Sequence, residues 1–571
     1  MTRRPPARRM TGLFALLTLG FAGVGTRIAF LQVVDGEQYE AMARDQRVRV
    51  LDIPAPRGSI YDRDGNALAI SLPSKAVYAD PRLVRQSGRV AERLAPLLEL
   101  PRGDLSDALR QDATFVYLAR RVDLPVARRI EAMALPGIGF LDESKRHYPA
   151  GDLASQVLGF VGVDGTGLAG LELQYERVLA GRPGKVIIEQ AAQGTPIPQG
   201  IHREREPSPG EDLVLTIDRD LQYQAQRALE AAVRENGAKG GSVLILDPSS
   251  GDVLAMATAP WFDPNRFTEA SPDVLRNRSV TDVYEPGSVN KVITAAAALE
   301  EGVIGLEETL TVPPTYQVGD KVFSDVHLHG IVPMDLSEII AQSSNVGIIR
   351  VAERLGKDGL ADYLRSFGFG RKTGIDFPGE AEGILLDRDD WWTTSMGTIP
   401  MGQGIAVTPL QMAGVYATLA NEGVRMRPRL VRGVLDAGGA LVPERVRTGH
   451  RIVSAETAER LIQMLVRAVE EGTGELAAVP GYRVAGKTGT ARKPLENALG
   501  YSDRYVASFI GIAPADDPRL VIAAILDEPE TIYGGVAAAP LFREVARFAL
   551  ADLHVPPTSS AVPGASTSPA G

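Results

Sequence analysis

Cysteine is missing from all 571 residues. Its absence excludes disulfides, thiolate nucleophiles and Cys-ligated metals, and suits either side of a bacterial inner membrane. A basic excess is missing too. The net charge is −10, with 61 Lys and Arg against 71 Asp and Glu, which argues against general nucleic-acid binding. No internal repeat is apparent. After about residue 35 no apolar run is long enough to span a bilayer. Metal ligands are sparse as well. His327 and His329 alternate without nearby partners, whereas zinc sites want three or four ligands. Asp64-Gly65 lacks the further carboxylates of a calcium loop. No metal and no cofactor is expected.

What is present is ordinary globular composition, 44% hydrophobic and 23% charged. The length exceeds one core, so two or more domains are expected. Arg3, Arg4, Arg8 and Arg9 precede an apolar stretch without charge from Met10 to Thr26, which continues past Arg27 to Leu31. The expectation is a cytoplasmic segment 1–9 and a membrane anchor 10–31, with the basic flank inside. A cleaved signal peptide is the rival, but no small-x-small cleavage site precedes Asp35-Gly36-Glu37. The rest is then expected outside the cytoplasm.

Residues 32–212 read as a strand-rich domain with short helices. Ala55–Asn66 is a hairpin bent at Asp64-Gly65. Residues 82–134 carry amphipathic helical patterns, and Lys185–Glu189 is a strand. The polar Pro/Gly stretch Arg205–Asp212 marks a boundary. Residues 213–552 read as strand, helix, a hairpin around Pro248–Asp252, several helices, then strands and a last helix. That order predicts an antiparallel sheet faced by helices, so the class is α+β. Residues 553–571, almost all Pro, Ser, Ala, Gly and Thr beyond His554, are expected to be disordered.

Candidate chemistry starts at Glu285-Pro286-Gly287-Ser288-Val289-Asn290-Lys291. Pro286-Gly287 is a breaker and the Ala-rich run after Lys291 is a strong helix former. Ser288 and Lys291 therefore share one face at a helix start. A serine hydroxyl needs a base to become a nucleophile, and a lysine serves if its pKa is lowered. Taken alone, Ser288 is better explained as a simple N-cap. Ser343-Ser344-Asn345 forms a polar turn between apolar helices, able to relay a proton and to bind a carbonyl or an amine. Lys487-Thr488-Gly489-Thr490 introduces a strand where a cation and two hydroxyls could face a carboxylate. Lys-Thr-Gly also occurs at Lys372-Thr373-Gly374, in turn-rich sequence, so that copy reads as a loop.

In this order the three patterns resemble those of the penicillin-recognising acyl-serine enzymes. With the single anchor, Arg57–Arg63, Gly170-Leu171-Glu172 and Met401-Gly402-Gln403-Gly404, the chain resembles the class B penicillin-binding proteins. The pattern around Gly368–Glu380 is most similar to the division-specific members. The resemblance implies an elongated N-terminal pedestal, with Arg57 and Arg63 as salt-bridged structural positions, and a transpeptidase domain. It implies peptidoglycan D,D-transpeptidation by a Ser288 acyl-enzyme, with Lys291 as base, Ser343 as proton relay and Asn345 orienting the substrate. Lys487, Thr488, Gly489 and Thr490 would bind the terminal carboxylate, and the Ser288 and Thr490 N–H groups would form the oxyanion hole. Implied partners are stem peptides, β-lactams, a SEDS-type glycosyltransferase and other division proteins. Alternatives are an elongation-type transpeptidase, an anchored β-lactamase and a non-enzymatic penicillin sensor or scaffold.

Overall fold

The computed structural model describes residues 7–33, 48–190, 196–436, 438–445, 448–495 and 500–558. The fold is mixed α and β, as expected. Ala7–Val33 is one helix. Its stretch Met10–Gln32 has mean hydropathy 1.7 and no buried residue, and it is long and apolar enough to cross a membrane.

The remainder forms two compact units that are interleaved along the chain. One takes in the described residues of Met1–Pro56, Pro73–Lys145 and Gly181–Pro209; the other takes in those of Arg57–Leu72, Arg146–Ala180 and Gly210–Gly571. These units therefore do not coincide with a single cut at 212/213. In the first unit an antiparallel sheet orders Val48–Ile53, Gly184–Gln190 and Pro196–Arg205. The helices Ser87–Leu98, Arg102–Ala108 and Leu124–Glu131 match the amphipathic patterns. They bury Val90, Leu94, Leu105 and Ile130 with Val77 and Leu118 of the strands.

The second unit is built on a five-stranded antiparallel sheet. Its strand order is Val253–Ala259, Gly240–Leu246, Leu520–Asp527, Tyr501–Ala513, Ala485–Pro494. Side chains alternate across a strand, and here both faces are apolar. Val243, Ile245, Ile522 and Ala524 join the core formed with Leu221, Leu229 and Phe542. Those residues belong to the helices Arg219–Glu235 and Ala539–Asp552. Leu244, Leu246, Val521 and Ala523 join the opposite core, with Val292, Ala296, Tyr416 and Leu465. The helices on that face are Lys291–Glu300, Pro409–Ala420 and Ala455–Glu470. This is the antiparallel sheet faced by helices that the sequence predicts, with helices on both faces.

The hairpin at Asp64-Gly65 is present: Gly65 has φ +88°, and the Asp62 carboxylate accepts from the Asp64 and Asn66 N–H groups. Arg57 is salt-bridged as expected, but within the second unit. Its guanidinium meets Glu172 at 2.5 Å and Glu176 at 2.7 Å, and Arg146 meets Glu172 at 2.7 Å. Residues 553–558, expected to be disordered, are held in place. Val555 is buried, its carbonyl accepts from the Tyr482 hydroxyl at 2.7 Å, and the Thr558 hydroxyl accepts from the Arg483 N–H at 3.1 Å. Residues 559–571 lie outside the described residues.

Candidate active site

Ser288 sits in one 3₁₀ turn, Gly287–Asn290, directly before the helix Lys291–Glu300. Two contacts fix that turn from behind: the Tyr416 hydroxyl donates to the Val289 carbonyl at 3.1 Å, and the Asn290 amide donates to the Ile399 carbonyl at 2.9 Å. Gly402 lets another loop come close. A Cβ there would lie 2.1 Å from the Gly287 carbonyl oxygen, and its φ is +82°. Ser288 is half-buried and its hydroxyl makes no hydrogen bond among the described residues.

Lys291 is fully buried. Its Nζ lies 2.5 Å from the Ser343 carbonyl oxygen, 2.8 Å from Asn345 Oδ1 and 3.2 Å from Ser343 Oγ. The carbonyl and amide oxygens can only accept, which engages two N–H groups of the amine. In the neutral form this leaves the lone pair free for a hydroxyl proton. Burial pushes the Lys291 pKa well below the usual lysine range, and the Lys487 charge pushes the same way; Asp325 opposes both. A lysine with its ammonium form so disfavoured is a competent general base.

Ser343-Ser344-Asn345 links the helices Leu336–Ala341 and Asn345–Ser366. Ser343 has φ +59°, an uncommon left-handed conformation for a serine, and in it the Ser343 carbonyl accepts from the Lys291 amine. The Asn345 amide nitrogen donates to the Ser324 carbonyl at 3.0 Å, leaving its oxygen for Lys291.

Lys487, Thr488, Gly489 and Thr490 lie in the edge strand Ala485–Pro494, in register with Ile510, Phe509, Ser508 and Ala507. Lys487 is fully buried, and that burial lowers its pKa to about 7. Its Nζ lies 3.4 Å from Thr473 Oγ1 and 3.5 Å from Thr488 Oγ1, and the two threonine hydroxyls are 2.8 Å apart. The Thr490 hydroxyl accepts from the Gly534 N–H at 3.1 Å. Position 489 has to be glycine. The protein's own packing already demands it, since a Cβ there would meet Ser508 Oγ at 2.3 Å and the Pro286 carbonyl oxygen at 3.0 Å.

Sequence reasoning missed two supports. Asp325 follows the hairpin strand Lys321–Ser324. Its carboxylate accepts from the Asn345 N–H, the Val346 N–H at 2.9 Å and the Ser344 hydroxyl at 2.7 Å, capping the start of the Asn345 helix. Thr473, in the loop after the helix Ala455–Glu470, partners Lys487. Neither carries a local motif. Only a capping need at Ser344-Asn345 hinted at an acceptor from elsewhere.

Lys372-Thr373-Gly374 stands apart from this set, as expected. Lys372 is exposed, and the Thr373 N–H and hydroxyl both donate to Glu380. His329, read as lacking nearby partners, contacts Asp325. Among the described residues no group of three metal-ligating side chains is found.

A serine at a helix start, a buried low-pKa lysine behind it and a second buried lysine on a sheet edge define an acyl-serine enzyme of the penicillin-recognising type. Comparison with known proteins agrees. Residues 241–547 match the penicillin binding protein transpeptidase domain, and 52–215 match the penicillin-binding protein dimerisation domain. The chain is 37% identical to Penicillin-binding protein PbpB of Mycolicibacterium smegmatis, over 96% of this chain and 91% of that one. It is 33% identical to Peptidoglycan D,D-transpeptidase FtsI of Escherichia coli, over 96% and 92%. The crystal structure of Penicillin binding protein 3 from Mycobacterium tuberculosis complexed with ampicillin superposes with a TM-score of 0.72 at 32% identity, covering 90% of this chain and 98% of that one. The chain belongs to the class B penicillin-binding proteins.

Proposed function

We infer that the chain is a serine-type peptidoglycan D,D-transpeptidase, with Ser288 as nucleophile and Lys291 as its base. The observation that carries this reading is the Lys291 amine, buried and held by Ser343 and Asn345. Lys291 takes the Ser288 proton as Oγ attacks the carbonyl carbon of the penultimate D-Ala of a stem peptide. The edge strand leaves backbone groups free to pair with an extended peptide. Lys487, Thr488 and Thr490 bind its terminal carboxylate. N–H groups of Ser288 and Thr490 stabilise the oxyanion, each worth about 3 kcal/mol. When the C–N bond breaks, Ser343 passes the proton to the departing D-Ala amine and the acyl group stays on Ser288 as an ester. An acceptor amine from a second stem peptide then attacks that ester. It forms the cross-linking amide, and its proton returns through Lys291 to Ser288 Oγ.

The ampicillin complex of the Mycobacterium tuberculosis relative supports β-lactams as substrate mimics that acylate Ser288. Ser288→Ala is expected to abolish both cross-linking and covalent labelling by a fluorescent penicillin; labelling that persists at another residue would overturn the assignment. We assign the catalytic residues to the 213–552 region, built into one unit with Arg57–Leu72 and Arg146–Ala180, and the anchor 10–31 places the chain that follows it on the periplasmic side of the inner membrane. The resemblance to division-specific members supports septal wall synthesis with a SEDS-type glycosyltransferase and other division proteins. A fluorescent fusion confined to the septum is the expected result. Lateral-wall localisation would favour an elongation role.

A further inference from the structure

His329 follows the hairpin that delivers Asp325 and is 18% exposed at its side chain. Both ring nitrogens face groups that only accept. Nε2 lies 2.8 Å from Asp325 Oδ2, and Nδ1 lies 2.6 Å from the Gly330 carbonyl oxygen. A neutral imidazole carries one N–H, so only the imidazolium donates to both. The carboxylate it grips is shared. Oδ2 also accepts the Ser344 hydroxyl at 2.7 Å, and Oδ1 accepts the Asn345 and Val346 N–H groups. Asn345 and Ser343 in turn hold the Lys291 amine. Two residues, Asp325 and Asn345, therefore stand between the ring and the base.

We propose that His329 is a positioning residue of the acyl-transfer site: as an imidazolium it locks Asp325 in the orientation that holds Ser344 and Asn345, and through them the Lys291 amine. The inference rests on the reading of Lys291 as the base. The ring lines a pocket of about 330 Å³ whose other walls include His327, Glu338, Gln342 and Arg467, so bulk protons reach it. The charged groups around the pair are few. Lys291 approaches Asp325 from its own helix and favours the carboxylate. Across the pocket Glu338 and Arg467 lie 3.8 Å apart as an ion pair. His327, on the same loop as His329, is exposed.

The hydrogen bonds to Asp325 and Gly330 raise the His329 pKa above the ordinary imidazole range. A raised pKa means that the lock is complete at low pH and is lost as pH rises through the raised value. Lys487 titrates nearby, at about 7, so a single pH profile cannot isolate the histidine. The ratio of wild type to variant does. The full-length chain in detergent is acylated with a fluorescent penicillin across about pH 6 to 8.5, the window in which imidazoles titrate. His329→Gln keeps a pH-independent donor but cannot bridge both acceptors. The wild-type to Gln ratio of acylation rates is expected to climb from near one at high pH to about three- to tenfold at low pH, the weight of one ordinary hydrogen bond. His329→Ala should be partly rescued at low pH by added imidazole. A ratio that does not change with pH overturns the proposal, as does failure of imidazole to rescue a folded Ala variant. If the Ala variant does not fold, the Gln ratio alone decides. A wild-type chain that is never labelled on Ser288 would refute the acyl-serine reading itself, so the two failures are distinguishable.

Discussion

Two copies of Lys-Thr-Gly occupy the catalytic unit, and they share nothing but their letters. Lys487-Thr488-Gly489 lies in an extended edge strand, with its lysine wholly buried beside Thr473. Lys372-Thr373-Gly374 lies in a loop. Its lysine is exposed, its glycine has φ +84°, and Glu380 accepts from the Thr373 N–H at 2.7 Å and the Gly374 N–H at 3.3 Å. In the first environment the backbone is extended and the ammonium is stripped of water, ready to meet a carboxylate. In the second a carboxylate of the protein's own already fills the turn. The tripeptide acquires a function only from the backbone it is built into.

The strongest way to break this comparison is to remove the lysines in turn. Lys487→Ala is expected to slow acylation by a penicillin about 10²- to 10³-fold, as losing a preorganised charge clamp does. Lys372→Ala should stay within about twofold, since exposed charges contribute little. The reverse ranking would assign the carboxylate site to the wrong copy.

A smaller effect sharpens the role of charge. With a pKa near 7, Lys487 holds its proton below neutrality and releases it above, so its grip on a carboxylate fades as pH rises. Lys291 sets the opposite limb, because protonation at low pH removes the base. Acylation rate against pH should be bell-shaped. Lys487→Arg should lift the alkaline limb, since guanidinium stays charged. An unchanged alkaline limb would show that Lys487 does not titrate there.

Thr473→Val tests the support of the catalytic copy. It deletes one hydroxyl partner of Lys487, at 3.4 Å, and should cost about five- to tenfold in acylation, the weight of one ordinary hydrogen bond. The matching change in the loop copy is Glu380→Gln. It should lower stability by about 1–2 kcal/mol, seen as a reduced Tm, because two backbone donors lose an ionised acceptor. Acylation should not change. A drop in acylation comparable with Thr473→Val would mean that the loop copy reaches the site after all.

Much of this was legible in sequence because it is local. The Ser288 turn announces itself by Pro286-Gly287 and the alanine run, and the strands Gly240–Leu246 and Leu520–Asp527 by continuous apolar residues. What stayed hidden depends on tertiary packing. Asp325 caps a helix that begins twenty residues later, Thr473 from a loop meets a lysine of the edge strand, and Gly489 is small because of Pro286 and Ser508. No periodicity or capping rule links such positions, since the fold alone brings them together. The interleaving of the two compact units was invisible for the same reason.

That interleaving bears on how the chain can be divided. Ile60 pairs in parallel with Leu213, and Ile60, Leu68, Leu158, Leu171 and Leu179 are all buried in the core that also holds Val292 and Tyr416. A fragment starting at residue 213 would therefore present a raw apolar seam to water and invite aggregation. During synthesis the early segment must also wait for partners made much later, which makes closure of this core a long-range and intrinsically slow event. The practical minimum for a working soluble catalyst thus begins before Arg57, well upstream of the first strand that sequence alone would give it.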